Sequence, residues 1–290
     1  MMDDRLQIFK FDVAIPDSFL YGTSSEIDKT AKVFQLARAL SIFRVEKLFI
    51  FHDKILDPNK KERDFMITIL QYLDTPPYLR RKIFPRIDFL KYVGKLHPLR
   101  TPHHKDKVSL KDIKNGDIRV GVIEIINNTF FVNVGLDSLI KYHGNEKTSG
   151  KKINVKILRN KKGNLSAIDI NLKDIPEMYW GYNIFYHNDI IDILRKYNSD
   201  QVILTSRLSN QFKVNSDHSL MYKESVLQNK RILIAFGSPK YGLNIIFNKE
   251  KINIDNFNSF NFFPFQGTQT VRLEESIFGV LAILNNYFIS

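Results

Sequence analysis

Two short stretches in the last quarter of the chain constrain its fold more than anything else in it. Residues 232–243 read ILIAFGSPKYGL, and residues 261–284 read NFFPFQGTQTVRLEESIFGVLAIL. Each is an apolar strand that runs into a turn carrying glycine and proline. The second flows on into an amphipathic helix. A buried strand that stops at such a turn leaves backbone N–H groups at its carboxyl end, where open α/β sheets place their ligands. Two such turns close in sequence predict one pocket built largely from main chain. An ordinary tight turn after a buried strand uses the same Gly and Pro residues, so the turns alone do not name a ligand.

The rest of the chain gives these turns a context. Residues 7–15 predict a first strand. Ser25 opens a helix, with Asp28 as its capping-box partner. Ile27, Ala31, Phe34, Ala37 and Leu40 follow at helical spacing and predict one buried face. VEKLFIF at 45–51 predicts a buried parallel strand, and residues 63–73 predict a second amphipathic helix. Alternation of strand and helix argues for an α/β class. After Leu99 the pattern changes. Pro98, Pro102, His103 and His104 mark a linker-like stretch. From Gly116 to Leu172 the signals are strands and turns: DIRVGVIEII, a turn at Asn127 and Asn128, TFFVNVGL, INVKILR, a turn at 160–164, and LSAIDINL. A short helical turn is expected only at 136–141. Four or five short strands in about 60 residues predict a small barrel of OB type.

Beyond Ile175 the α/β rhythm returns. A helix is expected at 188–197 and a strand at 202–205. Strand-like pieces follow at 232–236, 244–247 and 260–263. A closing helix is expected at 270–287, with Val271, Phe278, Leu281 and Leu284 facing inward. The chain therefore reads as a discontinuous α/β domain over 1–106 and 174–290, interrupted by a β-barrel at 107–173. Within the two turns, Gly267 is expected to supply a positive φ or a close backbone approach. Thr268 or Thr270 is expected to cap the following helix.

Charge narrows the class of partner. Lys and Arg number 43 against 31 Asp and Glu, a net charge of +12. That surplus favours a polyanion such as RNA or DNA, although a solvated basic surface gives the same total. Residues 151–162 (KKINVKILRNKK) concentrate it in Lys151, Lys152, Lys156, Arg159, Lys161 and Lys162, with no acidic residue. Ile153, Val155 and Ile157 alternate with them and point to a core. The charges would then form an outward track for an RNA backbone. Arg80, Arg81 and Lys82, after Tyr78, form a second basic cluster, although a polar helix terminus gives the same pattern.

Several classes are disfavoured. A chain with no Cys has neither disulfides nor a thiolate metal site. His103 and His104 have no carboxylate pair close by in sequence, so capping, packing or phosphate contact is expected of them and no metal site is predicted. No Ser/His/Asp or Cys/His arrangement stands out. The G-x-G-x-x-G and P-loop patterns are missing, which weighs against a dinucleotide fold, a Rossmann-type methyltransferase and a P-loop NTPase. No apolar run approaches the ~18 residues of a membrane span. The opening MMDDRLQIFK lacks the pattern of a signal peptide. The expectation is a cytoplasmic protein with no membrane partner.

Six stretches carry a specific resemblance: IPDSFL (15–20), TAKVFQLARALSIFRVEKLFIF (30–51), TPPYLRRKIFP (75–85), PLRTPHH (98–104), FGSPKYGL (236–243) and NFFPFQGTQTVRLEESI (261–277). With them the chain resembles the archaeal and eukaryotic branch of SPOUT RNA methyltransferases, which carry an inserted OB-like domain. The resemblance implies a SPOUT (alpha/beta trefoil knot) domain with an inserted OB-like β-barrel. Such a knot is an exception to the rule against threaded chains. It further implies S-adenosyl-L-methionine as cofactor, an RNA partner and a homodimer. By position, the cofactor loops would be Thr205, Ser206 and Arg207; Phe236, Gly237, Ser238, Pro239 and Gly242; and Phe262, Phe263, Pro264, Gln266, Gly267, Thr270 and Val271.

Arg38 stands where many members carry a motif arginine in the first helix. Arg38, Arg272 and Glu275, with Glu274 as alternative, are the catalytic candidates. TQTVRLEES replaces the Ser/Asn-rich stretch of the ribose-methylating members, which favours a base as methyl acceptor. The expected function is S-adenosylmethionine-dependent methylation of a base in structured rRNA or tRNA. The alternative is a non-catalytic RNA-binding ribosome-assembly factor that retains the fold.

Overall fold

A computed structural model describes residues 10–177, 179–214 and 231–289. The first part of the expected opening strand lies outside them. The chain divides into two compact units. One comprises residues 1–70, 92–96 and 182–290; the other comprises 71–91 and 97–181.

The first unit is built on a six-stranded sheet, order β11-β9-β10-β1-β2-β8. Its strands are β1 (Lys10–Pro16), β2 (Lys47–Phe51), β8 (Asn183–His187), β9 (Val202–Thr205), β10 (Arg231–Ala235) and β11 (Asn258–Phe260). Every neighbouring pair is parallel. KFDVAIP, KLFIF, VILT and RILIA are almost continuously apolar, as strands covered on both faces must be. Val13, Ile50, Ile203 and Ile234 are fully buried. Strand β8, NIFYH, is half-exposed on the sheet edge and escapes sequence reading because it lacks that apolar run.

Helix α1 (Glu26–Ile42) begins at Ser25, whose hydroxyl accepts from the Asp28 N–H at 3.3 Å. Its buried face is Thr30, Val33, Leu36, Ala37, Ala39 and Leu40. Of the face expected from spacing, Ala37 and Leu40 are buried, whereas Ile27 and Ala31 are exposed and Phe34 is only half-buried. The helix carries two apolar stripes, and the core takes the one with Val33 and Leu36. Helix α2 (Lys60–Asp74) buries Phe65, Met66, Ile69, Leu70 and Leu73. It starts in the first unit and ends in the second.

Three further expectations are corrected. The helix expected at 188–197 is a single turn, α4 (Ile191–Leu194). Tyr197 leaves the helical path, and its hydroxyl donates to Asp12 Oδ2 at 2.6 Å. The strand-like piece at 244–247 is a helix, α5 (Leu243–Lys249). Leu243, Ile246 and Phe247 are buried at helical spacing while Ile245 is exposed; four residues are too few to separate the two periods. The closing helix α6 (Leu273–Ile289) buries Leu273, Ile277, Val280, Leu281, Leu284, Tyr287 and Phe288. Phe278 faces outward, and Val271 lies before the helix starts.

The second unit contains a closed five-stranded barrel, β3-β4-β5-β7-β6. Its strands are β3 (Ile118–Ile126), β4 (Thr129–Asn133), β5 (Ile140–Tyr142), β6 (Lys152–Arg159) and β7 (Leu165–Asp169). Asn127 and Asn128 join β3 to β4 with φ of 46° and 61°, the pair of positive φ values a type I′ hairpin requires. The helical turn expected at 136–141 is instead the approach to β5, which runs parallel to β7. Ile123, Val132, Ile140, Val155, Ile157 and Ala167 fill the interior. Outside β3, Leu79 of α3 (Pro77–Ile83) packs on Ile118, Val120 and Val122. The Tyr78 hydroxyl donates to the Val120 carbonyl at 2.7 Å. Among the described residues no helix is long and apolar enough to cross a membrane.

Candidate functional site

Strands β9, β10 and β11 are adjacent and parallel, so their carboxyl ends open on one edge of the sheet. The segments that leave them meet around a cleft of about 340 Å³, within the ~300–1,000 Å³ of small-molecule sites. The first segment contributes Thr205, Ser206, Arg207 and Leu208. The second runs from Phe236 to Gly242 and continues into Asn244 and Ile245 at the start of α5. The third runs from Phe260 to Phe263, then supplies Gln266, Thr270 and Val271, and α6 closes the wall with Leu273, Ser276 and Val280. Every residue expected by resemblance to hold a cofactor lines this cleft except Pro264 and Gly267.

Local hydrogen bonds fix the walls. The Ser206 N–H donates to the Phe260 carbonyl at 3.0 Å, and Thr205 Oγ1 donates to the Ala235 carbonyl at 3.1 Å. Arg207 Nη1 donates to the Gln269 carbonyl at 3.2 Å, and so ties the first segment to the third. The second segment closes as a turn in which Tyr241 N–H donates to Ser238 Oγ at 2.8 Å. Gly237 is obligatory there for space. A Cβ at that position would stand 2.8 Å from the Tyr241 carbonyl oxygen and 2.9 Å from the Leu243 nitrogen. Gly267 is different. A Cβ would meet nothing within 4 Å, and its φ is not positive. The left-handed residue of that loop is Phe265, at φ 56° and 98% exposed.

Chemically the cleft is one apolar wall (Phe236, Ile245, Val271, Leu273, Val280), a backbone-rich turn, and two cations, Arg207 and Lys240. Lys240 Nζ lies over the Tyr241 ring at 5.4 Å and over the Tyr21 ring at 5.9 Å. Among the described residues no carboxylate or imidazole lines it. Lys240, Tyr241, Asn244 and Ile245 were missed by sequence reading. Taking 244–247 for a strand hid that Gly242 leads into a helix whose first turn borders the cleft.

The structure does not bring the catalytic candidates to this cleft. Arg38 is half-buried on α1. Arg272 is exposed ahead of α6, and its N–H donates to Glu275 Oε2 at 2.9 Å. Glu275 is thus the cap of α6, the task expected of Thr268 or Thr270; Thr268 Oγ1 instead donates to the Thr270 carbonyl at 3.0 Å. Glu274 is buried against Lys32 of α1 at 3.3 Å, an ion pair between helices.

The basic candidates separate into two kinds. Lys151, Lys156, Lys161 and Lys162 on β6 and its turn are exposed, as is Arg81. Three others are engaged. Lys152 reaches Asp74 Oδ2 at 3.2 Å. Arg80 donates to the Thr75 and Leu73 carbonyls at the end of α2. Arg159 donates to the Leu110 and Ile113 carbonyls, each at 2.9 Å.

His103 is no linker residue: it is buried, with Nε2 donating to the Asp74 carbonyl at 2.7 Å. His104 Nε2 shares that carbonyl at 3.0 Å. Burial, aided by the neighbouring His103, pushes the His104 imidazole down to about 4. Burial acts to raise the Asp74 carboxyl, yet His103 and Lys152 hold it below the usual range.

Over residues 10–284 the chain matches the protein family described as "Putative RNA methyltransferase". It belongs to that family. The 28S rRNA (uridine-N(3))-methyltransferase of Drosophila melanogaster is 28% identical over 309 aligned positions, which cover 94% of this chain and 61% of the fly protein. The Homo sapiens protein of the same description is 27% identical, covering 63% of this chain and 53% of the human one. An uncharacterized protein of Halobacterium salinarum is 25% identical and is matched over 97% of its length. The chain thus spans about three fifths of the fly methyltransferase and about half of the human one.

Proposed function

We propose that this member of the RNA methyltransferase family transfers a methyl group from S-adenosylmethionine to a base nitrogen of large-subunit rRNA. The observation that carries the reading is the cleft at the carboxyl ends of β9, β10 and β11. Its apolar wall suits a purine, its cations suit the carboxylate of an amino-acid tail, and Gly237 lets the backbone of the 236–242 turn close tightly along one side of it. The residues that would hold the cofactor are Thr205, Arg207, Gly237, Tyr241, Gln266 and Val271. When bound, the cofactor supplies a methyl group already activated on a sulfonium, so the hard chemistry is its own.

The protein's part is alignment of the acceptor, which can supply most of the rate. The acceptor N–H must also lose its proton. With no carboxylate or imidazole among the described cleft residues, the proton would pass to solvent water; Arg207 would hold the cofactor's carboxylate, and Lys240 would stabilise the deprotonated base by charge. The uridine-N(3) specificity in the names of the fly and human relatives supports a base as target. The departure of TQTVRLEES from the ribose-methylating pattern agrees with it.

The finer architecture follows the same reading. The parallel order β11-β9-β10-β1, with the cleft at its carboxyl edge, supports a SPOUT fold with a C-terminal trefoil knot. The barrel order, with β5 parallel to β7, supports an OB-like RNA-binding insertion. A homodimer is supported by α1, where Ile27, Ala31, Phe34, Arg38 and Ile42 form one outward stripe. Ile27 and Ile42 are 45% and 40% exposed. Phe278 of α6 extends that apolar surface, edge-on to Phe43 at 5.3 Å. In this arrangement Arg38 would lie at the subunit interface.

Calorimetric titration with S-adenosylhomocysteine, followed by transfer of labelled methyl from S-adenosylmethionine to rRNA, tests the proposal. Saturable binding and transfer to a base are expected. RNA binding without any cofactor binding would replace it with the assembly-factor alternative.

A further inference from the structure

The outer surface of the barrel has two unlike halves. Over β3 it is covered: Leu79, Ile175 and Trp180 pack on Ile118, Val120 and Val122. The half formed by β4, β5 and β7 instead borders an open groove of about 610 Å³. Across its floor Phe131 pairs with Lys141, and Lys141 pairs with Ser166, so an aromatic ring, an amine and a hydroxyl stand in one row over three strands. Val132 and Ile140, their sequence neighbours, point into the core, and alternation therefore turns Phe131 and Lys141 outward. Lys111 and Asn160 stand on the rim.

Arg159 explains how the rim is held. Its Nη2 donates to the Leu110 and Ile113 carbonyls at 2.9 Å, and its Nη1 to the Gly163 carbonyl at 3.4 Å. A residue that charge alone marks as a phosphate contact instead braces the two loops flanking the groove. No Asp or Glu lines the groove among the described residues. Glu124, which pairs with Phe131 from the other side, is neutralised by Lys82 at 2.6 Å.

We infer that this groove binds a single-stranded segment of RNA, with a base stacked on Phe131 and phosphates met by Lys141 and Lys111. An aromatic platform beside amines is how sequence-tolerant strand binding is built. Hydroxyl and amide groups such as Ser166 and Asn160 suit base edges and the 2′-hydroxyl. The RNA contact thereby moves from the charged outer face of β6, where the sequence pattern puts it, around the barrel to the face of β4, β5 and β7. It rests on the RNA methyltransferase reading only for the source of the RNA.

The test is fluorescence anisotropy of a labelled single-stranded RNA of about a dozen nucleotides, within the usual site sizes, titrated with the intact 290-residue chain. Phe131→Leu, which keeps an apolar side chain but removes the ring, should weaken binding about 5- to 150-fold, the equivalent of the ~1–3 kcal/mol of one base–aromatic stack. Lys141→Glu should weaken it and lower the salt slope by about one. Thermal melting of both variants should match the parent, since neither side chain enters the barrel core.

Unchanged affinity in both variants, with loss in Lys156→Glu on β6, would overturn the inference. So would a parent chain that binds no single-stranded RNA. Titration of the same proteins with S-adenosylhomocysteine separates the two readings. Cofactor binding with no effect at Phe131 removes the groove alone. RNA binding lost at Phe131 in a chain that binds no cofactor keeps the groove and removes the methyltransferase proposal.

Discussion

Replacing Gly237 by Ala tests the cleft with a single methyl group. The added Cβ would stand 2.8 Å from the Tyr241 carbonyl oxygen, 2.9 Å from the Leu243 nitrogen and 3.0 Å from the Gly242 Cα. All three are backbone atoms, so no side chain can swing aside and the 236–242 turn must open. Forced overpacking of this kind costs about 1–3 kcal/mol. In the free protein the turn can relax part of that by shifting toward the cleft. A ligand seated against the turn restores it, so the strain appears as lost affinity of about 5- to 150-fold.

The assay is calorimetric titration of parent, Gly237→Ala and Gly267→Ala with S-adenosylhomocysteine, beside thermal melts. Gly267→Ala is the internal control, because its Cβ meets nothing within 4 Å. It should bind within about twofold of the parent, as a change in open space costs less than ~0.5 kcal/mol. Equal affinity of Gly237→Ala and the parent would refute the placement of the ligand against this turn. Equal losses in the two variants would refute the geometric distinction between the two glycines.

Three further outcomes are expected. Glu275→Ala should lower stability by about 0.5–1 kcal/mol through loss of the α6 cap, with S-adenosylhomocysteine affinity unchanged; a loss of methyl transfer at unchanged stability would instead return Glu275 to catalysis. His104 is depressed to about 4 in the folded chain, against 6.5 when unfolded. The unfolded chain therefore binds the extra proton between those values, and stability should fall by about 3 kcal/mol as pH drops through that window, with about 2 kcal/mol of the fall above pH 5. Urea titrations at pH 7 and pH 5 should show that fall, and His104→Gln, which retains a donor for the Asp74 carbonyl, should remove most of it. Ile27→Glu with Phe34→Glu should convert a dimer to monomers in sedimentation equilibrium while leaving the monomer folded; a monomeric parent would remove the α1 stripe from the argument.

What could be read from the sequence follows from which signals are local. The interior strands were legible because burial on both faces leaves an uninterrupted apolar run, as in RILIA. The two hairpin turns of the barrel announced themselves through asparagine and glycine, which tolerate positive φ. The edge strand β8 lacks such a run and was lost. Helix α5 offered too few residues to distinguish a period of two from one of 3.6. On α1, Ile27, Ala31 and Phe34 have the spacing of a core face but not the position of one. Sequence reports that a stripe is apolar and leaves open what covers it. The cleft loops were legible by motif, whereas Glu275 and Arg159 were not. A carboxylate that caps a helix and a guanidinium that braces two loops have no sequence pattern separating them from groups that touch a substrate.

The position of β1 has a consequence for how the molecule is made. This strand lies inside the sheet between β2 and β10, and its register pairs Lys10 with Arg231. On the ribosome β1 emerges well before β10, so one of its two edges stays unpaired until β10 has been synthesised. The barrel strands, between Ile118 and Asp169, need only neighbours close in sequence and can close meanwhile. Contacts of such long range are slow to form, and an uncovered apolar strand invites pairing with other chains. Synthesis of this protein therefore depends on keeping a nascent β-edge guarded until β10 arrives, and demand for a chaperone should track the time between those two strands.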